Sequence, residues 1–257
     1  MEPKPFDISQ SDAISSSLSP NLVEREHVHQ VYDNIASHFS HTRHHAWPIV
    51  TEFLQQLTAG SIVADIGCGN GKYLHVNDSI SVIGSDRSLP LLKCAAVKEN
   101  NCSDLFACDA LKIPMRSESC DAAICIAVLH HVSNNHRRIA LISELARIVK
   151  SGRSILILAW AFEQDERSKR IFNKQDVLVD WKLQHKYAKE NAHSEEKVEV
   201  KESQLSTEDE KKWIVYQRYC HVYREGEIES LVAQIPGLIV EKTCYSRSNW
   251  CVFVRRL

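Results

Sequence analysis

The strongest constraint on this chain's fold is an alternation between Ser61 and Phe162. Five short apolar runs, "SIVADIG", "SVIGSD", "DLFACDA", "CDAAICIAVL" and "SILILAWAF", are each long enough for a strand. Helical patterning separates them: "KYLHV" predicts the start of a helix after the first run, and "SLPLLKCAAVKEN" one after the second. "HRRIALISELARIVKSG" keeps Ile139, Ile142, Leu145 and Val149 on one face, with Gly152 expected at its C-terminal end. Strands that alternate with helices imply a doubly wound, mostly parallel α/β sheet.

The flanks extend this frame. Residues 1–21 are Ser-rich, carry Pro3, Pro5 and Pro20, and show no periodicity, so a disordered tail is expected. Helical spacing then places Val28, Val31, Ile35 and Phe39 on one helix and Val50, Phe53, Leu54 and Leu57 on a second. Pro48 suits the second helix's first turn. Downstream, "DVLVDW" is an apolar island expected to dock on the domain, and 183–212 reads as a charged, flexible insertion. "LIVEKTCYSRSNWCVFVRR" predicts two strands around a polar turn, finishing the sheet antiparallel. With 257 residues the expectation is one domain over 22–257.

Composition excludes several function classes. No apolar run approaches the about 18 residues that cross a bilayer, so no membrane partner is expected. The first twenty residues lack the apolar core of a secretion signal. Cytoplasmic residence with reduced thiols is therefore expected for a chain with nine cysteines, with the nucleus as a second location. Neither the cysteines nor the thirteen histidines show zinc spacing or an H-E-x-x-H pattern, so no metal is expected. A net charge of −2 neither requires nor forbids a nucleic-acid partner.

The functional signal is "DIGCGNG". A pyrophosphate cradle wants G-x-G-x-x-G, but here Gly67, Gly69 and Gly71 alternate and Lys72 occupies the third fingerprint position. Asp65 stands just before the turn, where it would repel a pyrophosphate and attract a cationic cofactor. S-adenosylmethionine carries an ammonium and a sulfonium. Asp86 ends the second strand, where an acid takes ribose hydroxyls. Asp109 ends the third, placed with the Ala110 N–H to meet an adenine. Cys68 in the turn, Arg87 after Asp86 and Ile126 at the end of the fourth strand share that rim and count as cofactor contacts. The competing reading is that the three acids only cap the following helices.

Together "VYDNIASHFSHTRHHAWPIV", "VADIGCGNGKYL", "CDALKIPMRSESCDAAICIAVLHH", "DVLVDW", "RYCHVYREGEIE" and "NWCVFV" resemble the eukaryotic tRNA wobble-uridine carboxymethyl methyltransferases, a module also fused to an AlkB-type oxygenase in animals. The resemblance runs from about His27 to Val254, outside the charged insertion. It implies a class I S-adenosylmethionine-dependent methyltransferase fold. The implied reaction esterifies the carboxylate of 5-carboxymethyluridine in the tRNA anticodon stem-loop. The implied partner is a small zinc-binding activator subunit, forming a heterodimer. Two departures stand out: Asp180 where the family has proline, and Ser151-Gly152-Arg153 where it has "PGG". The rival functions are methylation of a small-molecule carboxylate or quinone, and a non-catalytic methyltransferase-like scaffold.

A carboxylate is already ionised at neutral pH, so this chemistry asks for positioning rather than a general base. Arg43 in "HTRHHAWP" is a candidate positioner, or else an exposed charge. One of His130 and His131, after the fourth strand, is a candidate substrate contact. Arg218, Arg224 and Asn249 either meet substrate or tie the last strands together. Tyr32 either covers the cofactor or packs in the core. The pairs Arg137–Arg138, Lys169–Arg170 and Arg255–Arg256 are candidates for a tRNA-facing surface.

Overall fold

The computed structural model describes residues 19–184 and 213–257, apart from 44, 99–103, 167 and 169. Most of the expected tail and of the charged insertion, and Lys169, lie outside the described residues.

A seven-stranded sheet organises the chain. Strand β1 (Ile62–Ile66) is central; β2 (Ser81–Asp86) and β3 (Leu105–Ala107) add to one side of it, and β4 (Cys120–Ile126) and β5 (Val149–Trp160) to the other, all parallel. Strand β9 (Asn249–Arg256) pairs antiparallel with β5, and β8 (Leu238–Ser246) antiparallel with β9, giving the order β3-β2-β1-β4-β5-β9-β8. The chain reverses direction of growth between β1 and β4. In open α/β sheets the crevice at the carboxyl ends of such strands is where ligands bind.

The apolar runs become strands because both sheet faces are covered. Ile124, Ile155 and Leu156 are fully buried. One face packs on helix α5 (Asn135–Ile148) through Leu141, Ile142 and Leu145. The other packs on α3 (Pro48–Gln55) through Val50 and Leu54. Each such aliphatic side chain contributes about 1.5–3 kcal/mol of burial. Asn134 caps α5, accepting from the Arg137 N–H, and Pro48 sits in the first turn of α3 as expected.

The N-terminal helical segment begins at Pro20, one residue before the expected tail ends. It runs as α1 (Pro20–Glu24), a π-helical turn (Arg25–His29) and α2 (Gln30–Thr42). Glu24 anchors it, accepting from the Ser133 N–H at 2.9 Å and from Arg137 Nε at 2.8 Å. Helices α4 (Leu89–Lys98) and α6 (Glu227–Val232) complete the set.

The island "DVLVDW" is strand β6 (Asp176–Gln184), paired with β7 (Trp213–His221) as a separate two-stranded sheet. Strand β6 therefore takes Leu183 and Gln184 from the expected insertion. Trp181 and Leu183 seat it on Val31 and Ile35 of α2, and Trp181 Nε1 donates to His38 Nδ1 at 3.1 Å. Asp180 points the opposite way, exposed, and accepts from Gln217 Nε2 at 3.2 Å. That departure from the family pattern therefore lies on the face turned away from α2.

Two local expectations fail. "KYLHV" forms hydrogen-bonded turns, not a helix. Left-handed backbone at the preceding glycines leaves only a few residues before Asn77, too few to nucleate one, and Tyr73 and Leu74 are buried directly in the core instead. Gly152 does not end α5, which stops at Ile148. It lies in β5, where Lys150–Arg153 bulge out between the pairs Cys120–Val149 and Ala122–Ser154. The second departure sits in this bulge, tied by Lys150 and Arg153 to Asp121 at 2.9 and 3.9 Å, at the opposite end of the strands from the crevice.

Candidate active site

Asp65 is the fourth residue of β1, set between Gly84 of β2 and Ile124 of β4. It is 1% exposed, and neither carboxylate oxygen has a hydrogen-bond partner. Burial, reinforced by nearby Asp86 and only partly offset by Lys72, pushes its carboxyl up to about 7. The two other acids are already employed. Asp86 accepts from the N–H groups of Gly69 at 2.9 Å and Ser88 at 2.8 Å, so it ties the glycine turn to the start of α4. Asp109 accepts from the Leu111 N–H and from Arg87 Nη1, both at 3.0 Å. Local capping thus accounts for part of what Asp86 and Asp109 do, and for nothing that Asp65 does.

The turn is shaped to leave room. Gly67 has φ +80°, and a Cβ there would lie 2.1 Å from a Val128 methyl. Gly69 has the left-handed φ of +57°, and a Cβ there would touch the Phe39 ring at 3.7 Å. A cavity of about 540 Å³ opens over the turn. Asp65, Gly67, Cys68, Gly69, Asp86, Arg87, Asp109, Ala110 and Ile126 all line it, as do Tyr32, Arg43, His130, His131 and Asn249. A buried carboxylate without a partner beside backbone that can be closely approached fits the ammonium end of S-adenosylmethionine.

Arg224 is the exception. It lies outside the cavity wall, its guanidinium 4.3 Å from the Phe162 ring and its backbone N–H donating to Glu227. Asn249 divides its work. Its amide N donates to the carbonyls of Ser246 and Arg247, holding the β8–β9 turn, while its Oδ1 is buried without a partner.

The two histidines differ. His130 stacks on Trp160 with ring centroids 4.9 Å apart and accepts the Trp160 N–H on Nδ1 at 3.3 Å. His131 Nδ1 lies 2.7 Å from the Tyr219 carbonyl oxygen, which can only accept, so Nδ1 carries the proton. Its Nε2 must then accept, and Tyr32 donates to it at 2.8 Å. Burial holds both imidazoles neutral. It drives His130 well below its usual range, and His131 to about 3 despite the hydrogen bond to Tyr219. His130, His131 and Cys220 bring possible metal-ligating atoms within 4.8 Å of one another. Both His131 nitrogens are already committed, and burial keeps the Cys220 thiol protonated, pushed up to about 11.

Arginines frame the opposite wall. Arg218, on β7, is 5% exposed; its Nη1 donates to Tyr32 Oη at 3.3 Å, and its Nε is buried without a partner. Its guanidinium lies 4.8 Å from the Trp181 ring, which Arg43 also approaches at 5.3 Å. Arg170 covers Trp160 at 4.1 Å. Among the described residues none of the three pairs with a carboxylate. Burial and mutual repulsion lower the pKa of Arg43 and Arg170.

The sequence offers Arg43 as a positioner or an exposed charge, leaves Arg218 open, and makes Arg170 a candidate for a tRNA-facing surface or a plain solvated face. Among the described residues, the other proposed surface cations are engaged elsewhere. Arg137 pairs with Glu24. Arg138 is buried and donates to the Val132 carbonyl. Arg255 pairs with Glu241, and Arg256 with Glu118.

Comparison with known proteins gives the family and the fold. A family profile described as a methyltransferase domain matches residues 64–157, from β1 into β5. The tRNA (carboxymethyluridine(34)-5-O)-methyltransferase of Schizosaccharomyces pombe is 43% identical over 236 residues, covering 91% of this chain and 97% of that protein. The Xenopus tropicalis protein tRNA (carboxymethyluridine(34)-5-O)-methyltransferase alkbh8 is 37% identical, covering 93% of this chain but 42% of that protein. The chain thus spans less than half of the frog relative and nearly all of the fission yeast one.

Among solved structures, a SAM-dependent methyltransferase of Methanosarcina mazei aligns with TM-score 0.53 at 17% identity, over 82% of this chain and 98% of that one. A chain from the complex of the Haloferax volcanii Trm112 methyltransferase activator with a methyltransferase aligns with TM-score 0.57 at 14% identity, over 88% and 97%. These establish the fold: a class I, Rossmann-like methyltransferase.

Proposed function

Because the chain belongs to the tRNA carboxymethyluridine methyltransferase family, we propose that it esterifies the carboxylate of 5-carboxymethyluridine at position 34 of tRNA, with S-adenosylmethionine as donor. One observation carries this reading. A single cavity holds a buried carboxylate without a partner, on Asp65, and a buried guanidinium Nε without a partner, on Arg218. A cationic donor and an anionic acceptor would satisfy both.

When bound, S-adenosylmethionine supplies an electrophilic methyl group on a sulfonium. Asp65 would hold the donor's ammonium, and Gly67 and Gly69 admit its backbone-like end. Arg218 would take the acceptor carboxylate on its free edge, with Arg43 and Arg170 adding field from the same wall. No general base is required, since a carboxylate with a pKa near ~4 is deprotonated at neutral pH. His130 and His131, neutral and buried, shape the wall and leave the carboxylate's negative charge to the arginines. Trp160 and Trp181 exclude water, which strengthens every charge interaction inside.

The same reading includes a small zinc-binding activator as partner chain. The fold likeness to a methyltransferase solved with the Trm112 activator supports this. The test is nucleoside analysis of tRNA bearing carboxymethyluridine after incubation with donor, with and without that activator. Formation of the methyl ester is expected; its absence with the activator present rejects the reading.

A further inference from the structure

Arg218 is aimed by a short chain of hydrogen bonds with only one consistent set of proton positions. The Tyr219 carbonyl lies 2.7 Å from His131 Nδ1 and fixes the proton there. His131 Nε2 is then an acceptor, so the Tyr32 hydroxyl proton points to it at 2.8 Å. The Tyr32 oxygen is left with only lone pairs to offer, and Arg218 Nη1 donates to them at 3.3 Å. Each of these three links pairs one donor with one acceptor, and His131 and Arg218 are both more than nine-tenths buried. The Tyr32 ring is itself held edge-on by Phe39 at 5.5 Å and His131 at 5.2 Å. Only Arg218 Nε, on the guanidinium's other edge, remains buried without a partner.

From this geometry we infer that Tyr32 and His131 are positioning residues for the acceptor carboxylate: they pin one edge of the Arg218 guanidinium in the cavity wall and leave its unpartnered Nε for the carboxylate. This rests on the proposed carboxylate substrate. It also reassigns Tyr32, whose hydroxyl faces the acceptor side of the cavity and is spent on His131 and Arg218. The direction of the chain matters. Were Nε2 of His131 to carry a proton, the Tyr32 hydroxyl would have to turn its own proton toward Arg218, and two donors would face each other. The backbone carbonyl of Tyr219 excludes the tautomer protonated on Nε2 alone, because it can accept but never donate, and burial excludes the doubly protonated ring.

The test compares Tyr32→Phe, His131→Asn and the double variant in the full chain with its activator, on tRNA bearing carboxymethyluridine. Phenylalanine keeps the ring and removes only the hydroxyl. Asparagine keeps a donor for the Tyr219 carbonyl and removes the acceptor for Tyr32. Each single variant is expected to lose about tenfold in kcat/KM, the worth of one misaligned charge-assisted hydrogen bond. Donor affinity by calorimetry should stay within about twofold. The double variant should be little worse than either single, since both break one chain.

Additive losses, or an active wild type matched by Tyr32→Phe, overturn the inference alone. Losses that follow a weakened donor affinity or a lowered melting temperature also overturn it, since they indicate a structural role. A wild-type chain that leaves the tRNA unmethylated overturns the substrate reading and this inference with it.

Discussion

Arg137 Nε donates to Glu24 Oε1 at 2.8 Å, joining α1 to the first turn of α5. Glu24 is buried, and its other hydrogen bonds come from Arg137 Nη2 and from the backbone and hydroxyl of Ser133. Burial alone would raise its carboxyl, but Arg137 and Ser133 overcome that and hold it low. The N-terminal helical segment, which carries Tyr32 into the cavity, is therefore anchored by charge as well as by packing.

Replacing Arg137 with methionine leaves Glu24 buried and without its cation. Such a change costs about 3 kcal/mol, which in a chain of this size is a drop of roughly 5–10 °C in melting temperature. Because a carboxylate with a depressed pKa contributes stability above its unfolded value and loses it as pH falls, the deficit should narrow below about pH 4. Thermal unfolding at pH 7 and about pH 3 checks both; a shift under about 2 °C at pH 7 contradicts the anchoring role.

Donor binding should depend on pH through Asp65. Its carboxyl is pushed up to about 7 in the free protein, so a substantial share is protonated at neutrality. An ammonium group favours the charged form and must displace that proton. Affinity for S-adenosylmethionine should therefore rise from pH 5.5 to pH 7.5 and then level off. Calorimetry in buffers of different ionisation enthalpy should report proton release below pH 7. Asp65→Asn should abolish the pH dependence together with most of the affinity. A flat affinity profile in the wild type would show that Asp65 does not meet a cation.

His221 offers a stability switch of opposite sense. It lies between Asp176, 2.9 Å from Nδ1, and Glu227, 2.7 Å from Nε2, linking β7 to β6 and α6. Burial alone would lower its pKa, but hydrogen bonds to the two carboxylates raise it above its usual value. A raised histidine pKa contributes stability that is complete below about pH 6.5 and disappears as pH climbs through the folded value. The melting-temperature gap between wild type and His221→Gln should thus be widest near pH 6 and shrink toward pH 9. A gap that stays constant over this range would mean that the imidazole is neutral throughout.

The legible parts of this fold are those decided locally. Strands β1, β4 and β5 were readable because both their faces are covered, so they appear as continuous apolar runs. Asp65 was readable because a carboxylate before a glycine turn makes electrostatic sense with few cofactors. The helix expected after that turn failed because three left-handed glycines used up the chain it needed. Arg218 and Arg170 were harder. Their placement depends on β7 lying against α2, and on the path of the chain after β5, which no periodicity encodes. The protonation of His131 was beyond reach, since it is set by a carbonyl 88 residues away. Tyr32 was read as either a cofactor cover or a core aromatic. It lines the cavity, packs against Val28 and Val31, and also links His131 to Arg218, a contact visible only once three distant segments meet.

The three arginines near the acceptor wall carry equal charge but unequal geometry, and lysine substitutions separate the two. Arg218→Lys keeps the charge and removes the planar edge that bears Nε, so a two-point grip on a carboxylate is lost. Arg170→Lys removes a guanidinium that sits over Trp160 at 4.1 Å, and the ammonium replacing it still supplies the field. If the acceptor carboxylate is held on the free edge of Arg218, Arg218→Lys should lower kcat/KM about 100-fold, near 2.7 kcal/mol of transition-state stabilisation. Arg170→Lys should cost less than about fivefold, and neither should change donor affinity by more than about twofold. Steady-state kinetics on tRNA bearing carboxymethyluridine, with donor calorimetry alongside, makes the comparison. Equal losses in the two variants would mean that the wall acts only as a diffuse positive field, and that the Nε of Arg218 does not engage the substrate.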